Sequence, residues 1–417
     1  MLLSHKTTVK LNRQQSNIVG HMCYAAYKLW NVCNYERIHY KELSLPVDYP
    51  DWYYQKKAHK ADFWYRQLPS QTAQEVCRLL DKSWKSFHTL LKTHGIENPG
   101  QPGFKHEPVA VTYMQMGIRH DAGSDTVRLS LPKQLMGYMK SAYGISDKFI
   151  YLKNKIFKST DIIKQIKIYP PQKDECRIIV ICEVPDAPEL PDNGRYLAVD
   201  LGLHNLMTCY DSDGSSFIVG RKYLEYCRYF NKEIARVQSR WAKQQAVHGI
   251  RYPETSTHVR RLYQRKSNTM NDYLHKCTRY VVSYCKDHDI HTVVVGDMTG
   301  IRVGNDKGAV VNQKMHGLPY RRICMMLSYK LAMCGIRCIF RPEPYSSQCP
   351  PDAGAVSKEY AVKQNRICRG LYVKNGTVWN ADSVGAYNIL RLYLDGEKKK
   401  VPPYAGLSNP VVVKVAV

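Results

Sequence analysis

Three acids, Asp200, Glu343 and Asp382, stand where a carboxylate is hardest to explain as ordinary surface. Asp200 closes the apolar run of YLAVDLGLHN (residues 196–205), the pattern of a buried strand that delivers an acid at its C-terminal end. Glu343 follows the short strand pattern IRCIFRP (336–342), and Asp382 opens a helix whose Ala386, Ile389, Leu390 and Tyr393 share one face. Each has a plain alternative: a turn former for Asp200, a solvated loop acid for Glu343, and for Asp382 a helix-start acid that satisfies free N–H groups. A buried charge is costly unless a partner or an ion neutralises it. Taken together, acids on two strand ends and a helix start form the donor set of a hard-cation site, where Mg²⁺ is held by a few carboxylates and substrate phosphate. Two such ions clamp the attacking and leaving oxygens of an in-line phosphoryl transfer, so the trio reads as a metal-dependent nuclease.

The elements that must position these acids follow from periodicity. After the strand carrying Asp200, a hairpin (206–210 and 215–219) turns at Asp211 to Gly214. Two basic helices follow, over 222–248 and 257–289, then strand 291–295, helix 318–334, strand 336–342 and helix 382–394. This order is RNase H-like, with the acids at one end of the sheet. Arg240, Lys243, Arg260, Arg261, Arg265 and Lys266 lie along the basic helices; solvation is their default role, and beside a carboxylate trio they suit a phosphate backbone.

Upstream, helices are expected over 16–42, 51–67 and from Ser70, ending at the breaker cluster 98–103. Between about 109 and 184 the period changes to two, in VAVTYMQM, TVRLSL, FIYLKN, IIKQIKIYP and CRIIVICEV, which reads as an antiparallel barrel or sandwich with Lys164 and Lys167 facing outward. The Pro-rich stretch 185–194 reads as a linker, and the segment after Leu394 as a flexible or weakly attached tail. The 417 residues suggest two or three domains.

The chain carries 61 basic against 36 acidic residues, a formal charge of +25, which points to a polyanionic partner. Tyrosine is abundant (31) and phenylalanine scarce (8), a balance that suits stacking on bases. Neither a signal-peptide core nor a run of membrane-span length is seen, so a soluble, cytoplasmic, nucleoid-associated protein is expected. The 14 cysteines fall mostly inside apolar periodic stretches and read as reduced, buried thiols.

The segments LAVDLGLHNLMT, VVVGDMTGIR, NQKMHGLPYRR, EPYSSQ and NADSVGAYNIL, in this order across 196–394, resemble the RuvC-type nuclease domain of TnpB, a transposon-encoded, RNA-guided DNA endonuclease family related to type V CRISPR effectors. The resemblance implies an α+β multidomain chain: a helical recognition unit (13–103) inserted in a wedge-like β-barrel (1–12 and 104–190), then a RuvC-like nuclease domain (191–394) and a tail (395–417). It also implies guide RNA, double-stranded target DNA and its displaced strand as partners, a monomer, a short motif beside the target, and Asp200, Glu343 and Asp382 as Mg²⁺ ligands. Sequence reading of the target then falls to base pairing.

Two departures stand out. Most members carry the middle glutamate where this chain has Gly296; Asp297 beside it would point to the other face of its strand, and Glu343, one strand over, is about 4.8 Å away across the sheet and takes that role. Many relatives also carry a zinc ribbon of two Cys-x-x-Cys pairs, where the insert 349–378 holds only Cys349 and Cys368, with Pro351-Asp352 and Arg369-Gly370 in place of partners. No zinc site is expected; Cys334 and Cys338 read as core, and Asn271 and His275 as helix-packing residues. The missing glutamate at Gly296 keeps open a guide-directed binder that does not cut, and a DNA transposase shares the acid triad.

Overall fold

The computed structural model describes residues 1–416 apart from 95, 161, 173, 299–316 and 369. TGIR of VVVGDMTGIR, NQKMH of NQKMHGLPYRR, and Arg369 therefore lie outside the described residues. The chain divides into two compact units, Met1–Pro185 and Asp186–Val417, so the break falls at the start of the expected linker.

The first unit begins with β1 (Leu2–Lys10) and α1 (Arg13–Ile38). α1 starts earlier than its apolar stripe suggests because Asn12 and Gln15 form a reciprocal capping box. The expected helix over 51–67 is broken into α2 (Trp52–Ala58) and α3 (Phe63–Arg66), since Asp62 turns its carboxylate back to accept from the Trp64 N–H at 2.7 Å and starts a new helix. α4 (Ser70–Thr93) packs on α1 through Val76, Leu80 and Trp84, and a buried ion pair, Arg37 with Asp81 at 3.0 Å, joins the two.

Then come β2 (Val111–Met114), β3 (Ile118–His120), β4 (Thr126–Ser130), α5 (Lys133–Tyr143), β5 (Phe149–Lys153), β6 (Ile162–Ile168) and β7 (Glu175–Glu183). α5 was hidden from a reading tuned to strands; it ends at Gly144, whose φ of +66° only glycine takes freely. All pairings are antiparallel, in the orders β1-β7-β6-β2 and β3-β4-β5. The described strands thus make two open sheets and no closed barrel.

The second unit is built on one sheet. Its strands are β8 (Tyr196–Asp200), β9 (Met207–Asp211), β10 (Ser216–Val219), β11 (Thr292–Asp297), β12 (Arg337–Pro342) and β15 (Val411–Val412), in the order β12-β11-β8-β9-β10-β15. β8, β11 and β12 run parallel, and β9 is antiparallel to β8 and β10. β8 is apolar on both faces: Leu197 and Val199 enter one core, with the helices Thr257–Asp287 and Tyr320–Ala332, while Tyr196 and Ala198 enter another, with the helix Ala381–Gly396. The connecting helices α6 (Tyr223–Val247) and α7 (Thr257–Asp287) pack on each other.

The segment after Leu394 is not loose. Leu407 is 2 % exposed, the Tyr387 hydroxyl donates to the Pro402 carbonyl at 2.9 Å, and β15 pairs in parallel with β10. Val411 and Val412 pair as a strand on the edge of the sheet, and Val413 and Val415 pack against the core.

The insert 349–378 is anchored by the helix Ala381–Gly396. The Arg391 side chain, 4 % exposed, donates to the carbonyls of Pro350, Pro351 and Ala353 and to Asn388 Oδ1, while the Asn388 amide donates to the carbonyls of Ser346 and Cys349. The insert ends in the hairpin β13 (Leu371–Lys374) and β14 (Thr377–Asn380). Arg391→Met, which keeps the volume and strips these carbonyls of their donor, is expected to cost about 3–5 kcal/mol in thermal unfolding and to open 349–378 to limited proteolysis.

Candidate active site of strand-end carboxylates

Asp200 leaves the end of β8 half-buried, and the next residues fold back tightly to return Asn205 to the same place. Gly202 makes that turn possible, because a Cβ there would lie 2.6 Å from the Asn205 carbonyl oxygen. The last paired position of β11 on β8 is Val295 opposite Val199, so Gly296 follows at the level of Asp200. Across the other edge of β11, Gly296 is opposite Arg341 of β12, two residues before Glu343.

Glu343 turns its side chain back over β11. A Cβ on Gly296 would stand 2.8 Å from the Glu343 carboxyl carbon and closer still to Oε2, so the carboxylate fills the space a side chain at 296 would need. Oε2 is sealed from solvent and makes no hydrogen bond to any described residue. Asp200 is seated similarly over the helix Ala381–Gly396, where a Cβ on Gly385 would lie 2.7 Å from its Oδ2.

Asp382 sits in the first turn of that helix without capping it. Asn380 is the cap, accepting from the N–H groups of Asp382 and Ser383, which leaves the Asp382 carboxylate to side chains. The Asn205 amide donates to its Oδ2 at 2.7 Å and the Arg366 guanidinium to its Oδ1 at 3.1 Å. Asn205 is 8 % exposed, and its Oδ1 is buried with no partner among the described residues.

The electrostatics tie these groups together. Burial pushes the Asp200 carboxyl well above its usual range, and the charges of Glu343 and Asp382 push it further, against the guanidinium of Arg366. Burial likewise lifts Glu343 to about 7, with Asp297 adding to the shift. Asp297 also raises the Cys324 thiol on the helix Tyr320–Ala332, after burial, the larger cause. Asp200 is therefore in electrostatic reach of both Glu343 and Asp382, and Arg366, paired with Asp382, partly offsets their charge at Asp200. Among the described residues no three acidic, histidine or cysteine side chains stand close enough to form a ready-made metal cage. Half-buried acids, with unsatisfied oxygens on Glu343 and Asn205, instead suit a hydrated divalent ion held by a few oxygens.

Asn205, Arg366 and Gly385 were not singled out from the sequence. Asn205 and Gly385 had a signal, five residues after Asp200 and three after Asp382; Arg366 had none, because only the fold of the insert brings it here. Of the basic residues, Arg240, Lys243, Arg260, Arg261 and Arg265 are exposed along α6 and α7, whereas Lys266 donates to Asn231 at 2.6 Å and ties the two helices together. Asn271 accepts from Arg322, and the His275 carbonyl from Lys330 at 2.8 Å, contacts that pack α7 against the helix Tyr320–Ala332. Cys334 and Cys338 pack against the core, Cys349 is buried and Cys368 exposed.

Comparison with known proteins gives two family matches. The model of a probable transposase family, OrfB_IS605, matches residues 179–302, and that of the Cas12f1-like TNB domain matches 320–389. No curated protein matches the sequence. Similar solved structures include a Cas12f1–sgRNA–target DNA complex (12 % identity, 93 % of this chain and 98 % of that one, TM-score 0.36). Others are CasPhi-2 (Cas12j) bound to crRNA and phosphorothioate-DNA (10 %, 96 % and 92 %, 0.49) and Alicyclobacillus acidoterrestris C2c1 with single-guide RNA (10 %, 91 % and 68 %, 0.43). No described helix is long and apolar enough to cross a membrane.

Two tests address this geometry. Between pH 4.5 and about 7 the folded chain holds a proton on Glu343 that the unfolded chain releases, so the metal-free protein loses stability as pH rises through that window. With divalent ions chelated, Glu343→Gln should stabilise the fold by on the order of 2 kcal/mol near neutral pH and above and change little in acid, read by thermal unfolding. Gly296→Ala must displace the Glu343 carboxylate; a crystal structure of the variant should show that side chain swung away from β11.

Proposed function

This chain fits the TnpB family, and from that premise we propose that it is an RNA-guided DNA endonuclease that hydrolyses phosphodiester bonds with Asp200, Glu343 and Asp382. The observation that carries the reading is the seat of Glu343: its carboxylate lies in the space above Gly296, the family's position for the middle glutamate, within electrostatic reach of Asp200. The sheet order β12-β11-β8-β9-β10, with three parallel strands and one antiparallel hairpin, supports an RNase H-like reading.

Asp200, Glu343 and Asp382 would hold Mg²⁺, which supplies a water of lowered pKa and positive charge opposite the phosphate oxygens. The chain's own residues do the rest. Asn205 and Arg366 fix the Asp382 carboxylate, Gly296 and Gly385 leave room for the other two, and the exposed cations of α6 and α7 follow a phosphate backbone. The first unit, as a helical recognition segment and wedge-like strands, grips guide RNA and the DNA beside the target, and base pairing selects the sequence.

A second reading, a guide-directed DNA binder without cleavage, is favoured by the lack of a preassembled metal cage among the described residues and by the cation Arg366 already paired with Asp382. Cleavage of target-bearing DNA by the protein with its guide RNA and Mg²⁺ separates the two. Endonuclease function requires cutting by the wild type, loss with chelator, and a fall of about 10²–10³-fold or more in Asp200→Asn and Glu343→Gln with target binding retained. Binding without cutting by the wild type would favour the second reading.

A further inference from the structure

Six aromatic side chains on the first unit touch in an unbroken series: Tyr27 with Tyr24 (ring centroids 5.0 Å), Tyr24 with Trp64 (5.5 Å), Trp64 with Phe63 (4.9 Å), Phe63 with Tyr138 (6.0 Å) and Tyr138 with Tyr143 (6.4 Å). They come from α1, α3 and α5, far apart in sequence; Trp64 and Tyr138 also rest against the core, with Tyr138 stacked on His21 (4.5 Å), and the most exposed rings are Tyr24, Phe63 and Tyr143. Tyr24 is 38 %, Phe63 49 % and Tyr143 55 % exposed. Single exposed rings are common on protein surfaces; a contiguous run assembled from three helices marks a place where something binds.

The charge around the rings says what. α3 and α5 contain no carboxylate, and the one acid of α1, Glu36, is buried. Asp62, beside α3, is engaged with that helix's backbone. Exposed cations come from the same elements, Arg66 at the end of α3 and Lys133 and Lys140 on α5. Lys28 holds its ammonium 5.3 Å and 4.9 Å from the ring centres of Tyr24 and Tyr27. Flat apolar faces interleaved with cations match a polymer of flat bases joined by phosphates. Bases inside a duplex have their faces covered by neighbours, so only unpaired ones can use such a platform.

We propose that the Tyr24–Trp64–Phe63–Tyr138 surface is a stacking platform for unpaired bases of a single-stranded nucleic acid, with Lys28 contacting its backbone. This rests on the reading that nucleic acid is the partner, and is independent of cleavage.

The test is fluorescence anisotropy of the full-length protein with labelled short single-stranded RNA, single-stranded DNA and duplex DNA over a range of salt. The exposed pair Tyr24→Ala/Phe63→Ala should weaken single-strand binding at least about tenfold, spare the duplex, and leave the slope of log K against log salt unchanged, because rings release no counterions. Tyr24→Phe, which keeps the ring, should bind as the wild type does, and Lys28→Ala should flatten the slope by about 0.7. The RNA and DNA arms identify which strand the platform takes. If the double variant binds single strands normally, or loses single-strand and duplex affinity alike with normal thermal unfolding, the platform is wrong; the single variants decide the matter should the double one unfold. A wild type that binds no nucleic acid would overturn the proposed function as well.

Discussion

Repulsion from neighbouring carboxylates at a buried Asp200 is the constraint around which the second unit is arranged. Asp200, Glu343 and Asp382 come from the ends of two strands and a helix start; burial and the charges of Glu343 and Asp382 raise the cost of ionising Asp200, and burial and Asp297 raise that of Glu343. A buried carboxylate repelled by its neighbours works against folding, and Asp200 is kept in place by the cores that fix its backbone. β8 is apolar on both faces and sits between two cores, so the position of Asp200 is set by Leu197, Ala198 and Val199. The two glycines, Gly296 and Gly385, complete the device by withholding side chains where Glu343 and Asp200 must lie.

Much of this was legible in the sequence because it depends on period and order. From β8 to the helix Ala381–Gly396, the sheet strands and the helices of the second unit fall within a few residues of where apolar spacing puts them, while the hairpin β13–β14 of the insert was not expected. What was not legible has specific causes. The break at Asp62 and the early start at Asn12 come from side chains bonding to backbone, which apolar spacing does not register. α5 lay among strands, and the C-terminal strand is only two residues long, with its pairing partner almost 200 residues upstream. Of the site, the three acids could be read as strand-end and helix-start residues. Arg366 could not, since its approach to Asp382 depends on how the insert is folded.

That insert is small, with one short hairpin, and cannot bury much of itself. It relies on Arg391 and Asn388, a guanidinium and an amide one turn apart, which collect backbone carbonyls from Ser346 to Ala353 at one point on the helix that bears Asp382. A buried arginine donating to neutral carbonyls spreads its charge over several acceptors, and here it couples the folding of the insert to the placement of the third acid.

The crossing of Glu343 over Gly296 also ties the two positions together. One volume accepts one carboxylate, so an acid placed at 296 and the glutamate at 343 exclude one another, and neither position can be varied without regard to the other.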